Sequence, residues 1–378
     1  MEIVSRLHVF PGLVVLSMGL GLQLILALCL LRAKWRRPLV LGGSAAVAIF
    51  LCFTYLLEFS RVRQQFPPQL VIGVFVVALF WVSWMIGLIP GQIVWRQAAF
   101  RPHRRTFLRT TSLALCAAPV AVFGFGVIHR DDFQLVETDL PVKGLPKDLQ
   151  GLRLLQMTDI HLSLFLSETA LARAIDMANS ARADLVLVTG DLISTRGDPL
   201  DACLHQLARL RSPRGPILGC LGNHEIYAGT QDYTSMAGRR LGMEFLRSQS
   251  RLLRFGDASI NFVGVDYQPM HREYLTGVEQ LIVPGTLNVL LSHNPDVFPV
   301  AAAKGFRVTL SGHTHGGQVN VEILHRNVNP ARLLTPYTIG LYQQGDASIY
   351  VSRGIGTIGV PARVGAPPEI TVLRLCGT

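Results

Sequence analysis

Five short clusters in the C-terminal two-thirds of the chain carry side chains that bind divalent cations. They are Asp159-x-His161, Gly190-Asp191, Gly222-Asn223-His224-Glu225, His293 within Ser292-His293-Asn294, and Gly312-His313-Thr314-His315-Gly316-Gly317. Carboxylate, imidazole and amide oxygen donors, with no sulfur among them, suit Mn, Fe or Zn. Asp159 and His161 are two residues apart, so an extended chain points both the same way and aims an oxygen and a nitrogen at one point. Singly these signals are weak: a lone histidine is more often structural, Asn223 a turn residue and Asp191 a helix cap. Their strength lies in recurring at equivalent places.

Each cluster follows an apolar run that reads as a buried strand. The runs are LRLLQM before Asp159, ADLVLVTGD through Asp191, PILGCLGNHE through His224, LNVLLSH through His293 and FRVTLSGH through His313. SIYVS (348–352), INFVGVD (260–266) and EITVLRL (369–375) are further strands. Between them, helical spacing covers 168–182, with Ser167 as its cap, and 199–211, and a third helix is expected over 233–247. In layered α/β folds, sites assemble outside the carboxyl ends of strands. Glycines flanking three clusters permit tight turns and close approach to an anion. Residues 131–150, with Pro141 and Pro146, read as an extended lead-in.

The first third is different in kind. Apolar runs at 9–31, 39–57, 69–89 and 107–128 each approach the ~20 residues that span a bilayer, and short basic loops separate them. Residues 1–130 hold 13 of the 35 Lys and Arg but 2 of the 25 Asp and Glu; the rest of the chain has 22 bases against 23 acids. The positive charge therefore belongs to the membrane part, and nothing is left over for a polyanion, so no nucleic-acid partner is expected. RAKWRR (32–37) and Arg96–Arg105 are the basic loops, which places them in the cytoplasm and residues beyond 130 outside the cytoplasmic membrane. HRRTFL (103–108) resembles a twin-arginine export signal, RR-x-F-L, with the same sidedness. Six scattered cysteines, none in a CxxC spacing, suggest buried apolar thiols rather than a thiolate site or disulfide framework.

Taken together, D-x-H, G-D, G-N-H-E, a lone histidine after a strand and G-H-x-H, in that order over about residues 150–375, resemble the calcineurin-like metallophosphoesterases. GHTHGGQ and SRGIGTIGVPARVGAPPEITVLRL (352–375) resemble a membrane-associated subgroup related to UDP-2,3-diacylglucosamine pyrophosphatase. The resemblance implies a two-metal site, with Asp159, His161, Asp191 and His315 on one ion and Asp191, Asn223, His293 and His313 on the other. Asp191 would bridge, and His224 would face the scissile phosphate as a catalytic group rather than a ligand. Paired divalent ions clamp a phosphoryl oxygen and lower the pKa of bound water toward ~7, giving a hydroxide nucleophile at neutral pH. His224 would stabilise developing charge or protonate the leaving oxygen.

The expected architecture is a four-helix all-α membrane anchor (1–130), a linker (131–150) and an α/β calcineurin-like sandwich (151–378) of two central mixed sheets flanked by helices. The expected activity is hydrolysis of a phosphomonoester, phosphodiester or pyrophosphate on a lipid-linked or periplasmic substrate, in a multi-pass protein of the cell inner membrane. The pyrophosphatases of lipid A synthesis act in the cytoplasm, against the sidedness read from the loops. A nuclease and a non-catalytic membrane sensor with structural metals are the competing classes. Arg353, at a strand end, is a candidate phosphate contact, and the long segment 320–345, with Arg326, Arg332 and Tyr337, a candidate headgroup contact.

Overall fold

The strand sequences LLQM, LVLVT and LNVLL are apolar at nearly every position because both of their faces are covered. In the computed structural model, alternate residues of these strands enter different cores. Leu154, Leu185, Leu187, Leu287, Val289 and Leu291 meet between two sheets. Leu155, Met157, Val186 and Val188 turn outward onto helices. The described residues are 16–17, 19–31, 36–59, 68–100, 104–269, 273–323 and 326–378.

The chain divides into two compact units, Met1–Ile128 with Gly359–Ala362, and His129–Ile358 with Arg363–Thr378. The first contains helices α1 (Gly19–Leu31), α2 (Arg37–Phe59), α3 (Pro68–Phe100) and α4 (Arg105–Ile128). Among the described residues, two stretches are long and apolar enough to cross a membrane, Arg37–Thr54 and Arg105–Ile128, and α1 is a shorter apolar helix. The start of the expected run 9–31, together with 32–35, 60–67 and 101–103 of the loops, lies outside the described residues. Helices α3 and α4 approach closely at Gly91, where an added Cβ would sit 3.0 Å from the Ser112 carbonyl oxygen. Small residues serve helix pairing in lipid in this way. The Ser112 hydroxyl donates back to the Gly91 carbonyl at 2.6 Å.

The second unit is a two-sheet sandwich. Its elements run β1 (Gln134–Val142), β2 (Arg153–Met157), α5 (Glu168–Ser180), β3 (Leu185–Thr189), α6 (Leu200–Leu207), β4 (Ile217–Cys220), α7 (Asn223–Ala228), α8 (Gln231–Arg240), β5 (Met243–Phe245), β6 (Gln249–Phe255) and β7 (Ala258–Gly264). They continue with β8 (Leu287–Leu291), α9 (Phe298–Lys304), β9 (Val308–Ser311), β10 (Val321–Ile323), β11 (Arg326–Val328), β12 (Gly340–Gln344), β13 (Ala347–Val351) and β14 (Glu369–Gly377). Sheet one has the order β1-β14-β2-β3-β4-β5 and sheet two β12-β13-β9-β8-β7-β6; β10 and β11 form a separate hairpin. Strands β2, β3 and β4 are mutually parallel, as are β7, β8, β9 and β13. Their carboxyl ends can therefore share one edge. The mixed α/β sandwich expected from the clusters is present.

Two expectations need correction. Residues 131–150 are not a linker: β1 pairs in parallel with β14 along nine residues and buries Leu140 and Val142. Its outward positions are exposed or half-exposed, so no continuous apolar run announces it. The helix expected over 233–247 ends at Arg240, because Gly242 takes a left-handed conformation (φ 82°) and Met243–Phe245 pairs with β4. Helix α5 begins at the expected cap, Ser167 accepting from the Ala170 amide at 3.1 Å.

Candidate metal centre

Asp159, Asp191, His293 and His313 each stand two residues beyond the end of a strand, on β2, β3, β8 and β9 respectively. Asn223 opens α7 after β4. The backbone there is not extended. Asp159 (φ 49°), His161 (φ 48°), Asp191 (φ 56°), His313 (φ 74°) and His315 (φ 51°) are five of the nine non-glycine residues with positive φ among those described. Asp159 and His161 thus share a direction through two left-handed residues rather than through strand geometry. Such conformations cost stability and cluster where function over-determines them. Glycine is required beside them: a Cβ at Gly222 would lie 2.1 Å from Asp191 Oδ1, and one at Gly312 2.1 Å from Asp159 Oδ2.

The side chains converge. Asp159, His161 and His315 place ligand atoms within 4.8 Å of one another; so do His161, Asp191 and His224, and Asp191, His293 and His313. Asp191 Oδ2 lies 2.9 Å from His293 Nε2 and 3.5 Å from His161 Nε2, and Asp159 Oδ1 lies 3.3 Å from His315 Nε2. Seven of the eight residues expected at the centre are buried, and His313 is half-buried.

Three details fit a pair of cations. Asn223 Oδ1 is buried with no hydrogen-bond partner. His293 Nε2 is buried without a hydrogen-bond partner although Asp191 Oδ2 lies 2.9 Å away. His161 Nε2 and His315 Nε2 face each other at 3.2 Å. Two imidazole lone pairs at that distance repel unless a positive charge is shared between them. Two histidines of the cluster are braced through Nδ1. His293 Nδ1 donates to the Thr189 carbonyl at 2.7 Å and His224 Nδ1 to the Ser194 carbonyl at 2.5 Å. Such partners fix the tautomer of a ligating or proton-transferring histidine.

The local field suits cation binding. Burial, and then neighbouring histidines, hold the pKa values of His161 and His315 well below the ordinary imidazole range, so both are neutral bases. Burial also pulls His313 down to about 3. Burial raises Asp159 to about 6 even though His293 opposes it. For Asp191, burial is outweighed by His293 and His224, and its carboxyl sits well below the carboxylate range. His293 answers: against burial, Asp191 and Asp159 push it up to about 10. These are the signs of a cluster in which one protonated histidine partly neutralises the charge that divalent ions would otherwise balance.

Comparison with known proteins agrees. A family model described as calcineurin-like phosphoesterase matches residues 152–317. An uncharacterised metallophosphoesterase, YkuE of Bacillus subtilis, is 32% identical over 286 residues, which cover 73% of this chain and 98% of that protein. The chain belongs to the calcineurin-like metallophosphoesterases. A transmembrane protein with metallophosphoesterase domain from Danio rerio is 28% identical over 90% of this chain and 80% of its own length. Phosphodiesterase YaeI of Escherichia coli is 26% identical over 72% and 98% respectively. The chain is accordingly a metal-dependent phosphoric ester hydrolase whose cofactors are two divalent ions.

Within this metallophosphoesterase, Arg353 departs from expectation. Its Nε donates to Glu369 Oε2 at 2.5 Å, and the side chain is largely buried. It is an internal ion pair rather than a group presented to a phosphate. Of the segment 320–345, the Arg326 side chain lies outside the described residues, Arg332 is exposed, and the Tyr337 ring stacks edge-on between Phe298 and Tyr342.

Three residues overlooked in the sequence matter here. Glu225, buried, accepts from the amides of Asp191 (3.0 Å), Leu192 (2.7 Å) and Gly222 (2.8 Å), so it holds the loop that carries Asp191. It belongs to the G-N-H-E block, which could have flagged it. Tyr267 packs its ring 5.3 Å from His313 and 6.3 Å from His293. Its flanking sequence, VDYQPM, gives no signal. Arg363 is buried, and its guanidinium donates to the carbonyls of Arg353, Gly354, Gly356 and Ala366. Burial draws its pKa down to about 9. The loop it organises abuts Asp159, whose carbonyl accepts from the Gly356 amide at 2.7 Å.

Proposed function

We propose that this metallophosphoesterase is a membrane-tethered hydrolase of a phosphodiester, phosphomonoester or phosphoanhydride on a lipid-linked or extracytoplasmic substrate. The observation that carries the chemistry is the position of Asp191, one carboxylate within reach of both halves of the cluster. Asp159, His161, Asp191 and His315 would hold one ion, and Asp191, Asn223, His293 and His313 the other. When bound, the pair supplies Lewis acidity to the phosphoryl oxygens and a lowered pKa to water. Asn223 contributes a neutral oxygen, which leaves net positive charge for the phosphate. His224, with Nδ1 committed to Ser194, uses Nε2 to exchange a proton with the leaving oxygen. The name of the Escherichia coli relative, a phosphodiesterase, favours a diester.

The anchor is read as four spans at 9–31, 39–57, 69–89 and 107–128, with the catalytic unit on the extracytoplasmic face of the inner membrane. Two apolar helices and the transmembrane relative support the tether, and the basic segments 32–37 and 96–105 support the sidedness. A role like that of the UDP-2,3-diacylglucosamine pyrophosphatases would require the opposite orientation. A reporter fused at the C-terminus decides between them: activity confined to a reporter that works only in the cytoplasm would overturn the orientation. Turnover of a chromogenic phosphodiester with added Mn, lost in Asn223→Ala and His224→Ala, separates the hydrolase from a sensor with structural metals. Comparison of lipid phosphates in micelles with soluble nucleotides tests the substrate class, and much faster nucleotide hydrolysis would defeat the lipid assignment.

A further inference from the structure

Among the described residues of the catalytic unit, the most exposed large apolar side chains are adjacent: Leu333 at 89% and Leu334 at 74% of their full accessibility. Single exposed leucines are ordinary, but two together at the tip of a tight turn, with exposed Arg332 beside them, form a protruding apolar point with a cationic flank. The point is not loose chain. It caps a single 3-10 turn, Pro330–Leu333, whose first amides are tied by Asn329: its side-chain oxygen accepts from Ala331 at 2.9 Å. The Leu334 and Thr335 amides both donate to the Ala331 carbonyl at 3.0 Å.

The turn is fastened at both ends to the metal centre. Asn329 Nδ2 donates to the carbonyl of Gly316, the residue after His315, at 3.0 Å. Thr335 Oγ1 donates to Asp296, three residues past His293, at 2.5 Å. Thr314, between His313 and His315, donates its hydroxyl to the Thr338 carbonyl at 2.6 Å. A braced apolar tip loses little conformational freedom on burial, so most of the gain from desolvating two leucines is retained.

We propose that Arg332, Leu333 and Leu334 form an interfacial contact that dips into the lipid surface, with the leucines at the acyl boundary and the guanidinium at the headgroup phosphates. The partner is a bilayer rather than a second protein because the same chain carries apolar helices of membrane-crossing length ending at Ile128, and the catalytic unit begins at the next residue. Apolar residues with a basic neighbour are the composition of interfacial anchors. The contact would seat the metal centre over headgroup phosphates. This rests on the membrane-tethered lipid reading above, and the experiment keeps the two separable.

The full chain is studied in nanodiscs of phosphatidylcholine and phosphatidylglycerol and, in parallel, in amphipol, which covers the helices without offering a bilayer plane. Hydrogen exchange of the amides at 331–335 reports the contact without any substrate. The expected result is exchange about tenfold slower in nanodiscs, as burial in the interface would give. Equal exchange in the two media overturns the proposal. So does protection that grows with protein concentration in amphipol, which would mean a second copy covers the tip. Turnover is then compared for hexadecyl p-nitrophenyl phosphate embedded in the nanodisc and bis(p-nitrophenyl) phosphate in solution, two diesters with the same leaving group. In Leu333→Ser/Leu334→Ser, KM for the embedded diester is expected to rise about tenfold while kcat for the soluble one is unchanged. Slow exchange together with no hydrolysis of the embedded diester would uphold the contact and defeat the lipid-substrate reading. An unchanged KM in the variant would overturn the contact and leave that reading intact.

Discussion

The two sheets furnish the metal centre unequally. The ends of β2, β3 and β4 in sheet one carry both carboxylates, the Asn223 amide and the imidazoles of His161 and His224. The ends of β8 and β9 in sheet two carry three imidazoles and no acid. Sheet one is also the braced side, with Glu225 clamping three amides around Asp191. Sheet two takes its alignment from sheet one: His293 is oriented by the Thr189 carbonyl at the end of β3, and Gln156 of β2 donates both to Thr189 Oγ1 and across to the Ser311 carbonyl of β9, at 2.9 Å each. Each candidate ligand set is thus completed only when the sheets dock, His315 joining Asp159, His161 and Asp191, and His293 and His313 joining Asp191 and Asn223. The centre is a readout of that docking, and its charge is fixed by one side.

The sharpest way to break this asymmetry is to compare one ligand from each side. Asp191→Asn keeps the volume but removes the charge shared by both clusters and strands protonated His293 beside it. Breaking a buried ionic pair costs about 3–5 kcal/mol of folding stability, and a loss of similar size in transition-state stabilisation would lower turnover roughly 10²- to 10⁴-fold. His313→Ala, from sheet two, touches one cluster. Metal analysis of purified protein should give fewer than one tightly held ion in Asp191→Asn and close to one in His313→Ala. Equal metal loss in both would show that sheet one does not control the charge.

Docking itself is tested away from the centre. Phe262 on β7 is fully buried between the sheets. Phe262→Ala should cost about 3–5 kcal/mol of stability through lost burial and an unfilled cavity. Denaturant unfolding of the detergent-solubilised chain measures it, and metal affinity should weaken in step. Intact metal affinity in a destabilised variant would mean that the sheets need not be well docked to bind ions.

The bracing on sheet one is weaker in effect. Glu225→Gln keeps the shape but replaces one amide-accepting oxygen with a donor. Groups that orient ligands typically contribute 10- to 100-fold, and turnover should fall by about that amount while KM for a soluble diester holds. A rise in KM alone would place Glu225 in substrate binding instead.

Much of this division is visible in the residues themselves. Leu185–Thr189 and Leu287–Leu291 are apolar at all but one position each, which marks strands covered on both faces, and a chemically active residue appears two positions past each. What stays hidden has no periodicity to announce it. β1 alternates irregularly and by sequence reads as a linker. The left-handed backbone at Asp159 and His161 cannot be anticipated for non-glycine residues, since it exists only because the surrounding loops enforce it. Tyr267 acts through packing and leaves no mark on neighbouring sequence; Arg363 falls within the 352–375 motif, but its role, gathering carbonyls brought together by a loop fold, is not readable from residue type. Arg353 shows the converse error: a basic residue at a strand end looks available until Glu369, sixteen positions later, is seen beside it.

Charge asymmetry has a pH consequence in the metal-stripped protein. His293 is raised to about 10 by Asp191 and Asp159 in the folded chain, against about 6.5 when unfolded. A raised folded pKa contributes stability that is complete below the unfolded value and is lost as pH climbs through the folded one. The apoprotein should therefore lose stability between about pH 6.5 and 10. Divalent ions, which displace the proton, should flatten that decline. Thermal unfolding with and without a chelator gives the comparison, and parallel slopes in the two states would remove His293 from the account.

The smallest effect is expected at the end of β13 on sheet two. If Arg353 touched phosphate, Arg353→Gln would raise KM for every substrate, since losing a charge-assisted hydrogen bond costs about 1.5–3 kcal/mol. Paired with buried Glu369, which also accepts from the Tyr350 hydroxyl at 2.6 Å, it should act on stability alone. Arg353→Gln/Glu369→Gln, neutralising both partners, should then recover most of the stability lost in the single variant, with turnover and KM near those of the parent throughout. Recovery of stability without recovery of KM would return Arg353 to the phosphate, and would give sheet two a direct part in holding the substrate as well as the ions.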